Sequence, residues 1–176
     1  MSNGEGLARR VAHALEGIPR RARRLGIDPN GGWMPLIKSH LAQLADELRY
    51  DMHAPATGSP NGGDPLAAAH PYDLTWSAKI PGGKRAARLP LVLDFGWHSS
   101  RGEQIDDDFQ ELLAAPAELR VLIFQQRTAA AVQALMDDLE RRARTAPGPE
   151  PRDVYLLCGY DWDDTQQFAF RTFTTA

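Results

Sequence analysis

Residues 88–126 read RLPLVLDFGWHSSRGEQIDDDFQELLAAPAELRVLIFQQ, and the fold is decided there. The stretch opens on an apolar run, Leu89 to Phe95, and closes on another, Leu119 to Phe124. Short continuous apolar runs are the mark of strands buried on both faces. Between them Ile105, Phe109, Leu112 and Leu113 fall on one helical stripe, with Asp106, Asp107 and Asp108 placed where a helix dipole favours anions. A strand, a helix and a second buried strand make a parallel crossover unit. Upstream, DLTWSAKI (73–80) alternates, with Leu74, Trp76 and Ala78 on one side, and PGGKRAA supplies a turn and spacer, so 73–97 reads as a hairpin. Downstream, Thr128 is an N-cap for a helix to about 145, with Val132, Leu135, Met136 and Leu139 inward and an ERRAR end suited to the dipole. TAPGPEPR is a linker, and DVYLLCGY and QFAFRTFT are the last strands, joined by DWDDTQ. Strands alternating with helices after a leading hairpin predict an α/β sandwich on a mixed central sheet.

The amino-terminal part is helical. Leu7, Val11, Leu15 and Ile18 make a stripe over 5–17, and PRRARRLG forms a second short piece ended by Gly26. The turn NGG and a first-position Pro35 then introduce a longer helix, about 34–52, with Ile37, Leu41, Leu44, Leu48 and Met52 on one face. Residues 53–72, with four prolines and three glycines, read as a long loop. The division expected is an Arg-rich helical extension over 1–30 and one α/β domain over 31–176.

Composition narrows the classes. The chain has 176 residues, 43% of them hydrophobic and 24% charged, an ordinary globular mixture that excludes a fibrous or fully disordered protein. A net charge of −3 argues against a general nucleic-acid coat. One cysteine, Cys158, excludes an internal disulfide framework and a multi-thiolate zinc site, and its place in VYLLCGY makes it a core thiol. No run approaches the roughly 20 apolar residues of a membrane span, and the first residues lack the apolar core of a secretory signal. The simplest location is the cytoplasm, with no membrane partner. Seventeen of the 20 basic residues are arginine, the bias of a GC-rich bacterial or phage gene. Even so, Arg20, Arg21, Arg23 and Arg24 are candidates for gripping nucleic acid or an acidic partner, unless they are only a solvated helix face. A docking or oligomerising role for 1–26 predicts that its deletion leaves the core folded, and a homodimer is compatible with that role.

Two acids occupy strands where acids are otherwise missing. Asp73 opens the first strand of the hairpin, and Asp94 lies inside the apolar run of the second. Aspartate is disfavoured in strands and costly when buried alone. Paired on adjacent strands, two carboxylates form a hard-oxygen site for Mg²⁺ or Mn²⁺; otherwise Asp94 makes a salt bridge or caps the strand end. No GxSxG, GxxxxGK[ST], GxGxxG or HExxH is present. Asp161, Asp163 and Asp164 lack the glycine and distal glutamate of a calcium loop and read as a turn.

A helix, a hairpin with one acid per strand, a helix and a strand together resemble the PD-(D/E)XK nuclease superfamily. Pro71-Tyr72-Asp73 looks like the first half of its motif, with one residue inserted, and Asp94-Phe95-Gly96 like the second. Trp97, Asp108, Phe109, Leu112 and the strand Arg120 to Phe124 are similar to a branch with Glu-x-Glu-Trp, Asp-Phe-x-Lys-Leu and Arg-Val-Leu-Ile-Phe segments, and YLLCGYDWDDTQQF continues the likeness. The resemblance covers roughly residues 35–174. It implies a restriction-endonuclease-like three-layer sandwich, Asp73 and Asp94 as catalytic metal ligands, and Glu47 from the leading helix as a third ligand. His98 joins them as a base or ligand, and Arg101 as a cationic substitute touching nucleic acid. Gly96 and Glu111 stand where lysine is expected, although Glu111 could supply a migrated acid. Of the three lysines, Lys38, Lys79 and Lys84, Lys79 shares a strand face with Asp73 but lies about 20 Å along it. Losing one transition-state electrostatic contact typically lowers rate by about 10²–10³. The expectation is a nuclease fold with a degenerate motif, acting as a nucleic-acid- or protein-binding, regulatory module, in phage–host conflict or within a larger complex. The alternative is an active Mg²⁺- or Mn²⁺-dependent nuclease with an altered centre, its partner DNA or RNA.

Overall fold

In a computed structural model the described residues are 3–54, 72–78, 89–96, 103–147 and 153–175. Their elements run α1 (Asn3–Glu16), α2 (Ile18–Leu25), α3 (Pro29–Glu47), β1 (Tyr50–His53), β2 (Leu74–Ala78), β3 (Leu89–Gly96), α4 (Glu103–Ala114), β4 (Ala117–Gln126), α5 (Ala129–Thr145), β5 (Val154–Asp161) and β6 (Phe168–Thr174). The strands form one mixed sheet in sequence order. β3, β4 and β5 are parallel neighbours, while β1–β2, β2–β3 and β5–β6 pair antiparallel. Parallel neighbours need crossovers, and α4 and α5 supply them. Right-handed crossovers advancing in one direction across a sheet must lie on the same face. Accordingly Ile105, Phe109 and Leu112 of α4 and Val132, Met136 and Leu139 of α5 share one buried cluster with Val92, Leu122 and Leu157. Leu7, Val11 and Leu15 of α1, Ile18 and Ala22 of α2, and Trp33, Ile37 and Leu41 of α3 cover the other face, over Leu91, Leu93, Val121 and Leu156. Helices thus lie on both faces of the predicted mixed sheet.

Where a Cβ at Gly4 would stand, Glu118 O is 2.7 Å and Val154 Cγ2 2.8 Å away, so glycine there lets α1 approach the sheet. Because α1 and α2 furnish core residues, removing 1–26 would strip Leu7, Val11, Leu15 and Ile18 from the β4–β5 surface. The helices expected as an extension thus pack into the same core as the sheet.

Three boundaries differ from the reading above. Pro35 lies inside α3, and Pro29 takes its first position. The helix stops at Glu47, not Met52: Arg49 adopts a left-handed conformation (φ 62°), and the chain turns into β1, the edge strand on β2. Tyr50 and Met52 alternate onto the core side, Tyr50 stacking on Trp76 with ring centroids 5.7 Å apart. α4 begins at Glu103, so Asp106 to Asp108 lie past its opening residues. The long loop falls mainly on 55–71, outside the described residues. No described helix is long and apolar enough to cross a membrane.

A buried ion pair ties the sheet to α4. Arg120 on β4 meets Asp153 at 2.9 Å, with side-chain exposures of 4% and 1%. Its guanidinium also donates to Leu112 O and Ala115 O, satisfying carbonyls at the carboxy-terminal end of α4, and to Ala117 O at the start of β4. Thr128 caps α5 as predicted, accepting from Ala131 N at 3.1 Å, and Asp164 Oδ2 accepts from Ala129 N at 2.8 Å.

Candidate functional site

The hairpin register pairs Leu74 with Leu93, which sets Asp73 opposite Asp94 one step further on. The two aspartates interlock. Asp73 N donates to Asp94 Oδ1 at 2.9 Å, and Phe95 N donates to Asp73 Oδ2 at 2.9 Å. Leu93 and Phe95 face the α1–α3 side, so alternation along β3 sends Asp94 toward α4. It is only 4% exposed there, and its Oδ2 has no hydrogen-bond partner among the described residues.

Helix α4 brings further acids. Its inward residues are Ile105, Phe109 and Leu112, and Asp108, three after Ile105 and four before Leu112, falls on that stripe. Asp108 Oδ2 is likewise buried without a partner, while Glu111 is exposed. Burial pushes the Asp94 carboxyl up to about 7; the Asp73 peptide N–H opposes this, and the charges of Asp73, Asp108 and Glu111 add to it. Burial, then the charges of Asp73, Glu111 and Asp107, raise Asp108 to about 6. The Tyr72 hydroxyl is raised by burial, then by Asp94 and Glu111, against an opposing pull from Arg120. Asp73, Asp94, Asp108 and Glu111 therefore share one electrostatic neighbourhood at the carboxy-terminal end of β3.

What is short there, among the described residues, is positive charge. The one lysine among the described residues, Lys38, lies over the Phe95 ring at 5.8 Å, and Phe95 faces away from Asp94. Arg120 is committed to Asp153. Gly96, where the resemblance would put lysine, is closely packed. A Cβ there would meet Ile105 Cγ1 at 2.8 Å, with Ile105 Cδ1 and Phe124 Cβ at 3.6 Å. α4 is thus packed down onto β3 where the motif would raise a cation.

The oxygen donors suit Mg²⁺ or Mn²⁺ in kind, and two oxygens lack partners among the described residues. Among those residues no three His, Cys, Asp or Glu side chains come together as a metal site.

Of the other sequence candidates, Glu47 lies on α3, across the sheet from Asp94, 3.6 Å from Arg10 and accepting from Gln43. The structure does not bring it to the aspartate pair, because the sheet itself stands between. His98 and Arg101, with Lys79 and Lys84, lie outside the described residues. Arg20, Arg21, Arg23 and Arg24 are exposed on α2, across the sheet from the acids. Asp161 caps the DWDDT turn, accepting from the backbone N–H of Asp164, Thr165 and Gln166, which confirms the turn. Those bonds, with the Thr165 hydroxyl, hold its carboxyl low against the opposing effect of burial. Cys158 is fully buried in β5, its thiol far above the usual range for that reason. Asp108 was overlooked as a site residue because a run of three aspartates reads as dipole complementarity; its spacing from Ile105 and Leu112 was the available signal.

Comparison of the chain with protein-family models, curated proteins and solved structures gives no match.

Proposed function

We propose that this chain is a restriction-endonuclease-like domain of the PD-(D/E)XK type whose hydrolytic centre has degenerated. In this reading it works as a nucleic-acid- or protein-binding, regulatory module. The observation that carries the proposal is the closed position at Gly96. The acids of the motif persist as an interlocked pair, but the place of the lysine is filled by Ile105, and the helix alternative is an acid, Glu111. Without a cation beside Asp94, nothing in the described centre offsets charge developing on a phosphodiester in its transition state.

The second reading, a metal-dependent nuclease with an altered centre, is favoured by one observation. Among the described residues Asp94 Oδ2 and Asp108 Oδ2 are buried and unpartnered in a cluster of like charges, an arrangement a bound cation would relieve. Asp73 and Asp94 would then hold Mg²⁺ or Mn²⁺.

Cleavage of single- and double-stranded DNA and RNA, with Mg²⁺ and separately with Mn²⁺, decides between them. Wild type should match Asp73→Ala and Asp94→Ala in showing no turnover. Metal-dependent cleavage by wild type that both substitutions remove would establish the nuclease instead.

A further inference from the structure

A basic groove runs between α1, α2 and α3, on the face of the sheet opposite the acids. It consists of two adjoining depressions of about 430 and 580 Å³ that share His13, Ala14 and His40. Arg10 edges the first, and Arg20, Arg21 and Arg24 edge the second. The floor is aliphatic, with Ala14 and Leu44, and ends on Leu25, which is 57% exposed. Residues 1–26 carry six arginines against two glutamates in a chain whose net charge is −3, so positive charge is concentrated here.

We infer that this groove docks an acidic, amphipathic segment of a partner protein, carboxylates on the arginine rim and apolar side chains on the floor. The chain itself supplies the prototype contact: Glu47 sits at one end, 3.6 Å from Arg10. At the other end Arg20 and Arg24 are exposed and have no carboxylate partner among the described residues, while Arg21 meets only the His40 ring, at 3.4 Å. His40 Nδ1 faces Leu36 O at 3.0 Å, and donating there leaves Nε2 to accept from Arg21, which holds that guanidinium at the rim. Planar guanidinium forks match carboxylates in pairs. The aliphatic floor of Ala14, Leu44 and Leu25 seats apolar side chains, which a phosphate backbone does not offer, and this favours an amphipathic peptide over a polynucleotide. Gly17, between the two helices that form one wall, has open space where a Cβ would stand. A large side chain there would obstruct the groove without disturbing the core. The inference does not rest on the reading of the acid centre.

The test uses the full chain and a fluorescein-labelled helical peptide about four turns long, leucine along one stripe and glutamate elsewhere. Its leucine-to-serine counterpart, polyglutamate, and single- and double-stranded oligonucleotides of equal charge serve as competitors. At low ionic strength the leucine–glutamate peptide should bind best, and added salt should weaken it. Arg20→Glu/Arg24→Glu and, separately, Gly17→Trp should each weaken binding about tenfold or more. Asp94→Asn should leave binding unchanged, which separates this outcome from any result at the acid centre. No peptide binding by folded wild type, peptide binding indifferent to both groove variants, or tighter binding of an oligonucleotide would overturn the inference.

Discussion

Replacing Asp94 by Asn should stabilise the metal-free protein at neutral pH, and the size of the gain follows from the geometry. The carboxyl ordinarily titrates near 3.8 and is pushed to about 7 where β3 meets α4, first by burial and then by its acidic neighbours. Below about pH 4 it is protonated in the folded and unfolded chains alike and costs nothing. Between about pH 4 and pH 7 the unfolded chain releases the proton while the folded one retains it, so this group's contribution falls as pH rises. Above about pH 7 it is ionised in both states, and the penalty levels off at roughly 4 kcal/mol. An Asn side chain is neutral throughout and keeps an oxygen to accept from Asp73 N, the contact Asp94 Oδ1 makes now. In EDTA, urea titrations should give equal stabilities near pH 4 and an advantage for the variant growing to about 4 kcal/mol at pH 8. For a chain of this size that is about 10 °C in Tm. A variant no more stable than wild type at pH 8, or one whose advantage is the same at pH 4 and pH 8, would refute the reasoning.

Further outcomes follow from other contacts. Gly96→Ala should destabilise by about 1–3 kcal/mol, because its Cβ meets Ile105 Cγ1 at 2.8 Å, and Ile105→Ala in the same chain should recover part of the loss. Thermal melts of the double-mutant cycle measure both effects, and a neutral Gly96→Ala contradicts the packing described. Arg120→Met should cost about 3–5 kcal/mol by removing the guanidinium that meets the buried Asp153, whereas Arg120→Met with Asp153→Leu should be far milder in chemical denaturation. Thr128→Ala should cost about 1 kcal/mol through loss of the cap on Ala131 N, read from the same titrations.

The central strands were legible because apolar runs such as LPLVLDF and LRVLIFQQ have no other use than burial on both faces, and β3, β4 and β5 are buried there. β1 was not, since Leu44, Leu48 and Met52 keep helical spacing across a break that only the left-handed Arg49 reveals. The juxtaposition of Asp73 and Asp94 was legible from strand pairing alone. The joining of Asp108 and Glu111 to them was not, because it depends on how closely α4 packs, which Gly96 and Ile105 set together. Glu47 was misplaced for a related reason: the helix stripe tells that Glu47 flanks a core, not which face of the sheet that core covers. Arg120 stands in the sequence only as the first residue of the segment Arg120 to Phe124, and its partner Asp153 is a long-range pairing that no local pattern encodes.

The central claim of the proposal is that the centre holds acids and, among the described residues, no cation to work beside them. Glu111→Lys tests it most directly, since this exposed position on α4 borders the acid cluster and is where the branch that the sequence resembles carries lysine. Cleavage of DNA and RNA with Mg²⁺ or Mn²⁺ should be absent in wild type, appear in Glu111→Lys, and vanish again when Asp94→Ala is added. Cleavage by wild type that is lost in Asp94→Ala and not increased by Glu111→Lys would contradict the account.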